Sequence, residues 1–581
     1  STNMKTITRI ISNVICRYVF LIISAICSMP LYAQNNVQRT LDKIYEWAED
    51  NPEKGLSEIL AIDTSDITSW PDSTKFDYHY MVGYLYGENA QPDKSIKHLL
   101  EAKSLCDKSL GTYSIGYMEI MWGLGDLYME KGQYEDALAM FQEGIVKSMT
   151  IRSAATHAFG NLIAGMSNCY EQMGWYNEVP THLRDAWDFW PKTEEPFETY
   201  NYYPLWALQQ FYWRYEMYDD ALNVSDHILD FITKQVGANH FEMAEALYMR
   251  GNTLVAMGRA NDAIDVFENA ISILKSSKKD TEELYGLLCG NLLASYLEAG
   301  LTDYEPILKD IKDFGVRTKN PSIFKNALYS SANILNKRGD FTTALALNQK
   351  VSELNLTPEE KTAVENQRKE IAYNQEVTEV LPELEQERAT LVKGSAEWFE
   401  NLHQLSSAYY LEHDQDKNLD VLSEMHQACI AYTAVGDEYL IWVLNNLLGL
   451  YLEQGTYDNA LKCATEKWEY VSSKDGMPDN LLFDALNNLI VAKMKAGKID
   501  GIDEELKRIG DYYQNQFGEK SQSYAMFLHN RGRAYQLQGN LENAKQTFLQ
   551  AITLQSELDG KPMGRTVQYL MEVQKQLNTQ L

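Results

Sequence analysis

The chain has few cysteines, and they fall in no recognisable pattern. Beyond Cys16 and Cys27 near the start, the others are far apart and never form a CxxC pair: Cys106, Cys169, Cys289, Cys429 and Cys463. Metal sites need regular ligand spacing, and disulfide frameworks belong to much shorter secreted chains. We therefore expect these side chains to be small buried apolar groups, and we expect no bound metal.

The sequence also lacks the motifs of common catalytic sites. HExxH, GxSxG, Walker and GxGxxG motifs are absent, and the 10 histidines are scattered. Low-complexity tracts are missing as well, and 11% aromatic residues argues against disorder. We expect a folded protein that is not an enzyme and that needs no cofactor.

Basic residues are scarce relative to acidic ones. The chain has 52 Lys and Arg against 82 Asp and Glu, which gives a formal net charge of −30. Such a surface repels nucleic-acid phosphates and anionic membranes. We therefore expect no nucleic-acid partner and expect neutral or basic ligands.

Residues 1–33 have the pattern of an export signal. Lys5, Arg9 and Arg17 precede an apolar run over 18–31, and Ala33 supplies a small residue for cleavage. An uncleaved N-terminal anchor is the alternative. We expect cleavage, no stable membrane insertion afterwards, and a periplasmic or secreted location in a Gram-negative bacterium.

A pattern of glycine, alanine and aromatic residues recurs along the rest of the chain. Its clearest copies each contain two glycines, an alanine and a phenylalanine at the same spacing. They are Gly125, Gly132, Ala137 and Phe141; then Gly251, Gly258, Ala263 and Phe267; and finally Gly532, Gly539, Ala544 and Phe548. One position of the pattern can be followed through the chain, at a step of 42 residues in most places: Met81, Gly123, Gly165, Ala207, Met249, Asn291, then Ser330, and later Gln404, Asn446, Asn488 and Asn530. A repeat array is the architecture that such self-similarity predicts.

This pattern resembles the tetratricopeptide repeat (TPR) family, in which the position followed above is motif position 6. A step of 42 exceeds the usual ~34 residues of a TPR. It is similar to the longer repeats of kinesin light chain and of bacterial proteins with a CHAT protease domain. The resemblance implies an all-α, right-handed superhelical solenoid of about thirteen helical hairpins, with a last helix near 564–577 as a cap.

The repeat pattern also suggests a division of the chain. We expect an N-terminal array over 34–355, a divergent repeat or bend over 356–400, and a C-terminal array with the capping helix over 401–581. The middle segment lacks the motif's helix-closing glycine and contains Pro382. The alternative is sequence drift within an unchanged array.

The resemblance also implies a binding surface on the first helix of each hairpin, helix A, at motif positions 2, 5, 9 and 12. Position 5 is aromatic in most of the early repeats: Tyr80, Trp122, Trp206 and Tyr248, with Ala164 between them. In one repeat Tyr203, Trp206, Gln210 and Trp213 fill all four positions. We expect an aromatic groove for an extended peptide or a glycan. The alternative is that these rings pack against the next repeat.

Charge and amides complete the expected groove. Asp77, Glu119, Asp126, Glu171 and Glu245 share the stripe, whereas Arg533 is its one basic residue among the positions considered. In later repeats asparagine occupies motif position 6, and an amide can bond a peptide backbone: Asn291, Asn446, Asn488 and Asn530. The alternative for these amides is hydrogen bonding between neighbouring helices.

These observations favour an exported scaffold that binds a protein or an extended peptide in an acidic, aromatic-lined groove. Two alternatives remain from the sequence. In the first, the chain is the sensory or substrate-docking part of a protease or sensor-kinase system. In the second, it is a glycan-binding accessory protein.

Overall fold

A computed structural model describes residues 36–48, 50–148, 156–190, 197–280 and 282–580. The expected export signal over 1–33 lies outside the described residues. Within them every regular element is helical and none is a strand. The chain forms two units: unit 1 consists of residues 1–214 with 226–228, and unit 2 of residues 215–225 with 229–581.

Unit 1 contains nine helices among its described residues. They are α1 (Asn36–Ala48), α2 (Pro52–Leu60), α3 (Asp72–Glu88), α4 (Pro92–Leu105), α5 (Ile115–Glu130), α6 (Tyr134–Ser148), α7 (Thr156–Gln172), α8 (Glu178–Phe189) and α9 (Tyr203–Arg214). Short 3-10 turns at Ile67–Ser69 and Thr199–Tyr202 precede α3 and α9, and a π-helical turn at Cys106–Leu110 extends α4.

Unit 2 continues the same succession. Its helices are α10 (Tyr218–Val236), α11 (Glu242–Ala256), α12 (Ala260–Ser276), α13 (Glu283–Glu298), α14 (Glu305–Arg317), α15 (Ser322–Lys337), α16 (Phe341–Ser352), α17 (Pro358–Glu379), α18 (Leu381–Arg388), α19 (Ala396–Leu411), α20 (Gln415–Ala431), α21 (Leu440–Glu453), α22 (Tyr457–Ser473), α23 (Asp479–Lys495), α24 (Ile502–Phe517), α25 (Gln522–Leu537), α26 (Leu541–Asp559) and α27 (Gly564–Gln580). A single helical turn at Thr433–Gly436 precedes α21.

In chain order these described helices form thirteen consecutive pairs and a final helix, as the repeat pattern predicts. Every residue at motif position 6 falls in the first helix of a pair, for example Gly123 in α5 and Asn530 in α25. The fold is therefore an all-α solenoid of helical hairpins. Among the described residues, no helix has the length and apolar character that a membrane span needs.

Local sequence explains where many of these helices begin. The Asn51 and Ser114 side chains accept hydrogen bonds from the first turns of α2 and α5. Asp340 does the same for α16, and Thr357 with Glu360 forms a reciprocal capping box at the start of α17. Each cap satisfies a backbone N–H that the helix leaves without an internal partner.

In most hairpins the turn between the two helices has a left-handed residue at motif position 15; the hairpin of α17 and α18 is an exception, because Val380 between them has φ −83°. Glycine supplies it in most repeats, as at Gly132 with φ 70° and Gly258 with φ 72°. Three repeats instead force a side-chain-bearing residue into this region: Ala90 with φ 55°, Glu216 with φ 60° and His413 with φ 58°. The turn geometry therefore persists even where the sequence has lost its preferred residue.

A glycine–phenylalanine contact joins the helices of a hairpin. A Cβ added at Gly125 of α5 would lie 2.4 Å from the Phe141 ring of α6, and one at Gly165 of α7 would lie equally close. Phe141 is thus enclosed by the backbones of two successive A helices. The same contact joins Gly251 to Phe267. Small residues at this position let the helices approach until the ring fills the space between them.

The divergent segment over 356–400 forms α17 and α18 inside unit 2. Only four of the 22 residues of α17 are buried, namely Val364, Gln367, Ile371 and Thr378. Pro382 lies in the first turn of α18, where its missing N–H has no helical partner to lose. The expected boundaries at 355 and 400 remain predictions.

The last helix does more than close the end of the array. Within unit 2, Gln568 of α27 donates a hydrogen bond of 2.6 Å to the backbone oxygen of Tyr215, which is 353 residues earlier in the chain. Gly564 lies against the Glu216 side chain, where an added Cβ would come within 2.9 Å. The helix therefore links the two ends of this unit.

All five cysteines in the described residues are free and buried. Burial raises the pKa of the Cys106 and Cys169 thiols to about 11 and that of Cys289 to about 12. Such thiols stay protonated at neutral pH, so they pack as small apolar groups.

Candidate functional site

The A helices α1, α3 and α5 of unit 1 line a cleft at the start of the array. Its walls are aromatic and its polar groups are mainly carboxylates: Tyr45, Phe76, Tyr80, Asp42, Asp77 and Glu119. Asp77 and Glu119 are at motif position 2 of their repeats and Tyr80 is at position 5. The motif positions that the resemblance assigns to a binding surface therefore meet in one cleft.

Side-chain hydrogen bonds hold this cleft in shape. Gln38 of α1 donates from Nε2 to Asp42 at 3.1 Å and to Asp77 at 2.8 Å, while its Oε1 accepts from Thr74 at 2.8 Å. The Tyr80 hydroxyl donates to Glu119 at 3.0 Å. Hydrogen bonds thus connect neighbouring A helices across the floor of the cleft.

Aromatic packing gives the cleft a flat wall. The rings of Phe76 and Tyr80, one helical turn apart, have centroids 5.9 Å apart and planes inclined by only 1°. Both side chains are partly exposed. Parallel, partly exposed ring faces are surfaces on which a planar or cationic group can stack.

One carboxylate of the cleft, that of Asp77, has a raised pKa. Burial raises its pKa to about 6; the hydrogen bond from Gln38 opposes this shift and the nearby charge of Asp42 adds to it. Near neutral pH the ionised group is therefore held in an unfavourable environment. A positive charge entering the cleft would relieve that cost.

The next aromatic residues of unit 1 form a stack of four rings. Phe159 lies 4.9 Å from Trp190, Trp190 lies 5.8 Å from Tyr203, and Tyr203 lies 5.8 Å from Trp206. Phe159 and Trp190 are buried, whereas Tyr203 and Trp206 are partly exposed. The stack anchors the two outer rings, and part of their surface stays accessible.

The remaining predicted residues of the aromatic stripe are also accessible. Trp122 of α5 and Gln210 of α9 are partly exposed, and Trp213 of α9 is 39% exposed. In unit 2, Tyr248 of α11 is partly exposed as well. Tyr80, Trp122 and Trp206 thus present ring surface on A helices of unit 1.

The asparagines of unit 2 use their amide groups within the protein. Asn291 donates to Asn252 of the preceding A helix at 2.6 Å, and Asn530, which is 8% exposed, donates to Asn487 at 3.4 Å. Asn446 bonds the Trp442 backbone oxygen at 2.8 Å, and Asn488 bonds Asp484 at 3.4 Å. A peptide role for these amides remains a prediction, and it requires the peptide to replace existing bonds.

Two arginines on A helices, one in each unit, have partners within the protein. Arg214 of α9 makes two hydrogen bonds, of 3.0 and 2.8 Å, to the Glu171 carboxylate of α7. In unit 2, Arg533 lies 4.3 Å from the centre of the Tyr569 ring and bonds Gln536 at 2.7 Å. Burial, and then the charge of Glu242, raises the pKa of Glu245.

Sequence reasoning missed the contribution of α1. Gln38, Asp42 and Tyr45 lie in a repeat whose motif is weak, so no motif positions could be assigned there. Residues four apart lie on one face of a helix, so the spacing of Leu41 and Tyr45 would have placed these two on one face.

No group of three or more His, Cys, Asp and Glu residues in the described part of the chain has metal-site geometry.

The succession of helical pairs within each unit is that of an α-helical repeat protein. The tetratricopeptide repeat family model matches residues 78–145, 244–273 and 527–558. The chain therefore carries tetratricopeptide repeats in these segments.

Several solved structures match the chain at low sequence identity and with low TM-scores. A Podosopora anserina kinesin light chain with nearly identical TPR-like repeats is 13% identical over 43% of this chain and 99% of its own, with a TM-score of 0.24. The apo quorum sensor NprR from B. thuringiensis is 12% identical over 60% and 99%, with a TM-score of 0.32. The P58(IPK) TPR domain is 13% identical over 79% and 99%, with a TM-score of 0.19. No curated protein matches the chain.

Proposed function

We propose that this tetratricopeptide-repeat protein is an exported scaffold that binds a protein partner through an extended peptide along the A helices of unit 1. The observation that carries the proposal is the row of partly exposed rings at motif position 5: Tyr80, Trp122 and Trp206. Rings offer a large contact area and lose little conformational entropy on binding.

The spacing of the A helices favours an extended ligand. Packed helices lie roughly 8–10 Å apart, and an extended chain advances about 3.3 Å per residue. A peptide crossing the row would therefore place about every third residue over a new A helix. A binding preference with that period is expected.

A random dodecapeptide library displayed on phage tests this proposal with the full chain as bait. We expect selection of peptides whose binding weakens about tenfold when Trp122 is changed to Ala, since hot-spot rings cost more than 1 kcal/mol on truncation. Trp175→Ala is the matched control, because Trp175 is 44% exposed but lies in the turn after α7, outside the ring row.

Two outcomes would contradict the peptide proposal. One is an equal loss of binding in both tryptophan variants. The other is a lower melting temperature of Trp122→Ala with unchanged peptide binding, which would make the ring a packing residue. Binding of oligosaccharides in place of peptides, lost in Trp122→Ala, would favour the glycan alternative.

Export is supported by the charge and apolar pattern of residues 1–33. Fusing residues 1–40 to a reporter phosphatase that is active only after export tests it. Activity that disappears when the run over 18–31 is interrupted by two lysines is the expected result. An inactive reporter with the unaltered segment would refute export.

A further inference from the structure

Two histidines of unit 1 face each other across the hairpin of α3 and α4. The Nδ1 atoms of His79 in α3 and His98 in α4 are 3.1 Å apart. The ring centroids are 5.2 Å apart, and both side chains are partly exposed. The two residues are 19 positions apart on different helices, so no regular ligand spacing marks them in the sequence. The fold therefore brings together two ring nitrogens that the chain keeps apart.

Both rings are neutral near pH 7. Burial lowers the pKa of His79, and burial together with the charges of His79 and Lys97 lowers the pKa of His98 to about 4. Two neutral imidazoles share a hydrogen bond between their Nδ1 atoms only if one ring carries its proton on Nδ1 and the other on Nε2. Neutral imidazole is also the form of histidine that binds metal ions.

We propose that His79 and His98 together bind one divalent late transition-metal ion through their Nδ1 atoms. Two nitrogens that are 3.1 Å apart, and that each lie about 2.0–2.1 Å from one ion, subtend an angle of about 95–102° at that ion. This angle lies between the right angle of a square-planar site and the tetrahedral angle. The ion would lie beside the line between the two nitrogens, and both rings would turn to aim their lone pairs at it.

The protons balance in this step. The ring that donates the hydrogen bond releases its Nδ1 proton to water, and its Nε2 atom takes up a proton from water. The pair therefore stays neutral, and both Nδ1 lone pairs become available to the metal ion.

Two buried tyrosines pack against the pair. The Tyr78 ring is edge-on to both histidines, with its centroid 5.4 Å from that of His79 and 6.4 Å from that of His98. The Tyr86 ring lies 5.7 Å from His98. Rings that are already packed against buried neighbours lose little freedom when they bind an ion, which favours binding.

Nearby charges act on the pair in opposite directions. Glu101, one helical turn after His98, raises the pKa of both rings, whereas Lys97 lowers it. Both charged side chains are exposed. No third ligand from the described residues completes the group, so water would fill the remaining coordination positions. The site is therefore open, unlike the closed four-ligand sites of structural zinc.

The two imidazoles decide which ions fit. Imidazole nitrogen suits Zn²⁺, Ni²⁺ and Cu²⁺, and Cu²⁺ binds most tightly in the general order of divalent metals. Mg²⁺ and Ca²⁺ prefer oxygen ligands. We expect Cu²⁺ to bind the pair more tightly than Zn²⁺, and we expect neither Mg²⁺ nor Ca²⁺ to compete.

The test uses the full chain without an affinity tag and adds Zn²⁺ or Cu²⁺ alone. Calorimetric titration should find a Zn²⁺ site whose affinity falls at least about tenfold in His79→Asn and in His98→Asn, because even residues that only orient metal ligands contribute about 10–100-fold. With one equivalent of Cu²⁺, electron paramagnetic resonance should show coupling to two imidazole nitrogens in the wild type and not in either variant.

The matched control is His227→Asn, since His227 is an exposed histidine of α10 outside this hairpin. Asparagine keeps a hydrogen-bonding group near the position of Nδ1, so the variants remove the ligand and retain a polar contact. Unchanged thermal melting without metal would show that they fold. Hydrogen exchange of the wild type gives a readout that needs no variant, because an ion held by both helices should slow exchange in α3 and α4.

Three results would overturn the metal site. They are equal Zn²⁺ affinity in the wild type and both pair variants, an equal loss of affinity in His227→Asn, and a Cu²⁺ spectrum with coupling to fewer than two nitrogens. The peptide proposal is tested separately by Trp122→Ala in the absence of metal, so either proposal can fail alone.

Discussion

The enclosure of Phe141 makes a sharp stability prediction for Gly125→Ala. The new methyl group would lie 2.4 Å from the ring, which is closer than carbon atoms approach in folded proteins. The ring has little room to move, because a Cβ added at Gly165 of α7 would also lie 2.4 Å from it. Either the ring leaves its rotamer or α5 and α7 separate.

The expected magnitude follows from two opposing effects. Overpacking a filled core costs about 1–3 kcal/mol, whereas replacing a mid-helix glycine by alanine gains about 1 kcal/mol. The upper part of the cost range applies here because the ring lies close to two helices, α5 and α7. We therefore expect Gly125→Ala to lower the free energy of unfolding by about 1–2 kcal/mol.

Gly123→Ala is the matched control, two residues away on the same helix. Its methyl group would lie 3.4 Å from a Leu99 methyl, an ordinary contact, so the helix gain should dominate. We expect it to be neutral or to stabilise by up to about 1 kcal/mol. The two alanine variants should then differ by about 2 kcal/mol.

The assay must resolve part of the chain, because repeat arrays can unfold in segments. Hydrogen exchange of peptides from α5, α6 and α7, read by mass spectrometry, reports the local free energy of opening. Phe141→Leu, which shortens the ring side, should recover part of the loss in the Gly125→Ala background. Equal protection in the two alanine variants would refute the packing argument.

Three further predictions concern other parts of the chain. Ala90→Gly should stabilise the protein by about 0.5 kcal/mol, because a non-glycine residue in the left-handed region costs about 1–2 kcal/mol and the larger unfolded-state entropy of glycine offsets part of this gain. Urea unfolding measures the change, and a loss of stability would contradict the account of this turn. Burial lowers the pKa of His182 from 6.5 to about 4, so between these pH values the unfolded state binds one more proton than the folded state. The contribution of His182 to stability is therefore fully present above pH 6.5 and decreases by about 3 kcal/mol as the pH falls to 4. Denaturant titrations of His182→Gln should lack this part of the pH dependence. Lys467 is completely buried, and its Nζ lies 2.5 Å from the Asp484 carboxylate. Asp484→Ala leaves this buried charge without its partner, so thermal unfolding should show it to be less stable than Lys467→Met by about 1–3 kcal/mol. The reverse order would contradict this account of the pair.

The hairpins could be predicted because the residues that define them act locally. In most repeats a left-handed residue ends the A helix and a glycine faces an aromatic ring, so the spacing of these residues gives the register. The prediction holds even at Ala90 and His413, where the preferred glycine is missing but the turn is kept. Neighbouring repeats impose the geometry, and a single substitution does not change it.

The packing detail of the repeat around Asn291 could not be predicted in this way. The motif places an aromatic at Lys309, and the structure instead sets Phe314 against Gly286, where an added Cβ would lie 2.5 Å from the ring. Gly286 lies nearer the start of its A helix than the motif glycine does, and Phe314 lies nearer the end of the partner helix than the motif aromatic does. The contact is therefore farther from the turn of the hairpin than in the other repeats. Such a compensated shift leaves no trace in the motif spacing.

Partners of polar side chains were equally inaccessible to sequence reasoning. Gln38 and Asp77 are 39 residues apart, and Arg214 and Glu171 are 43 apart. These separations match one repeat closely, but only the rotation of each A helix decides which side chains meet. The cleft itself could therefore not be predicted from the sequence, although Tyr80, Asp77 and Glu119 were already on the predicted stripe.

The two halves of the predicted groove differ in what a ligand would gain there. In unit 2 the amides of Asn291 and Asn530 already donate to neighbouring helices, so a peptide would exchange one hydrogen bond for another with little net gain. In unit 1 the partly exposed rings gain from being covered, since burial of ring surface lowers the free energy. Removing the two asparagine amides should therefore loosen unit 2 without weakening a peptide, whereas removing the rings of unit 1 should do the opposite.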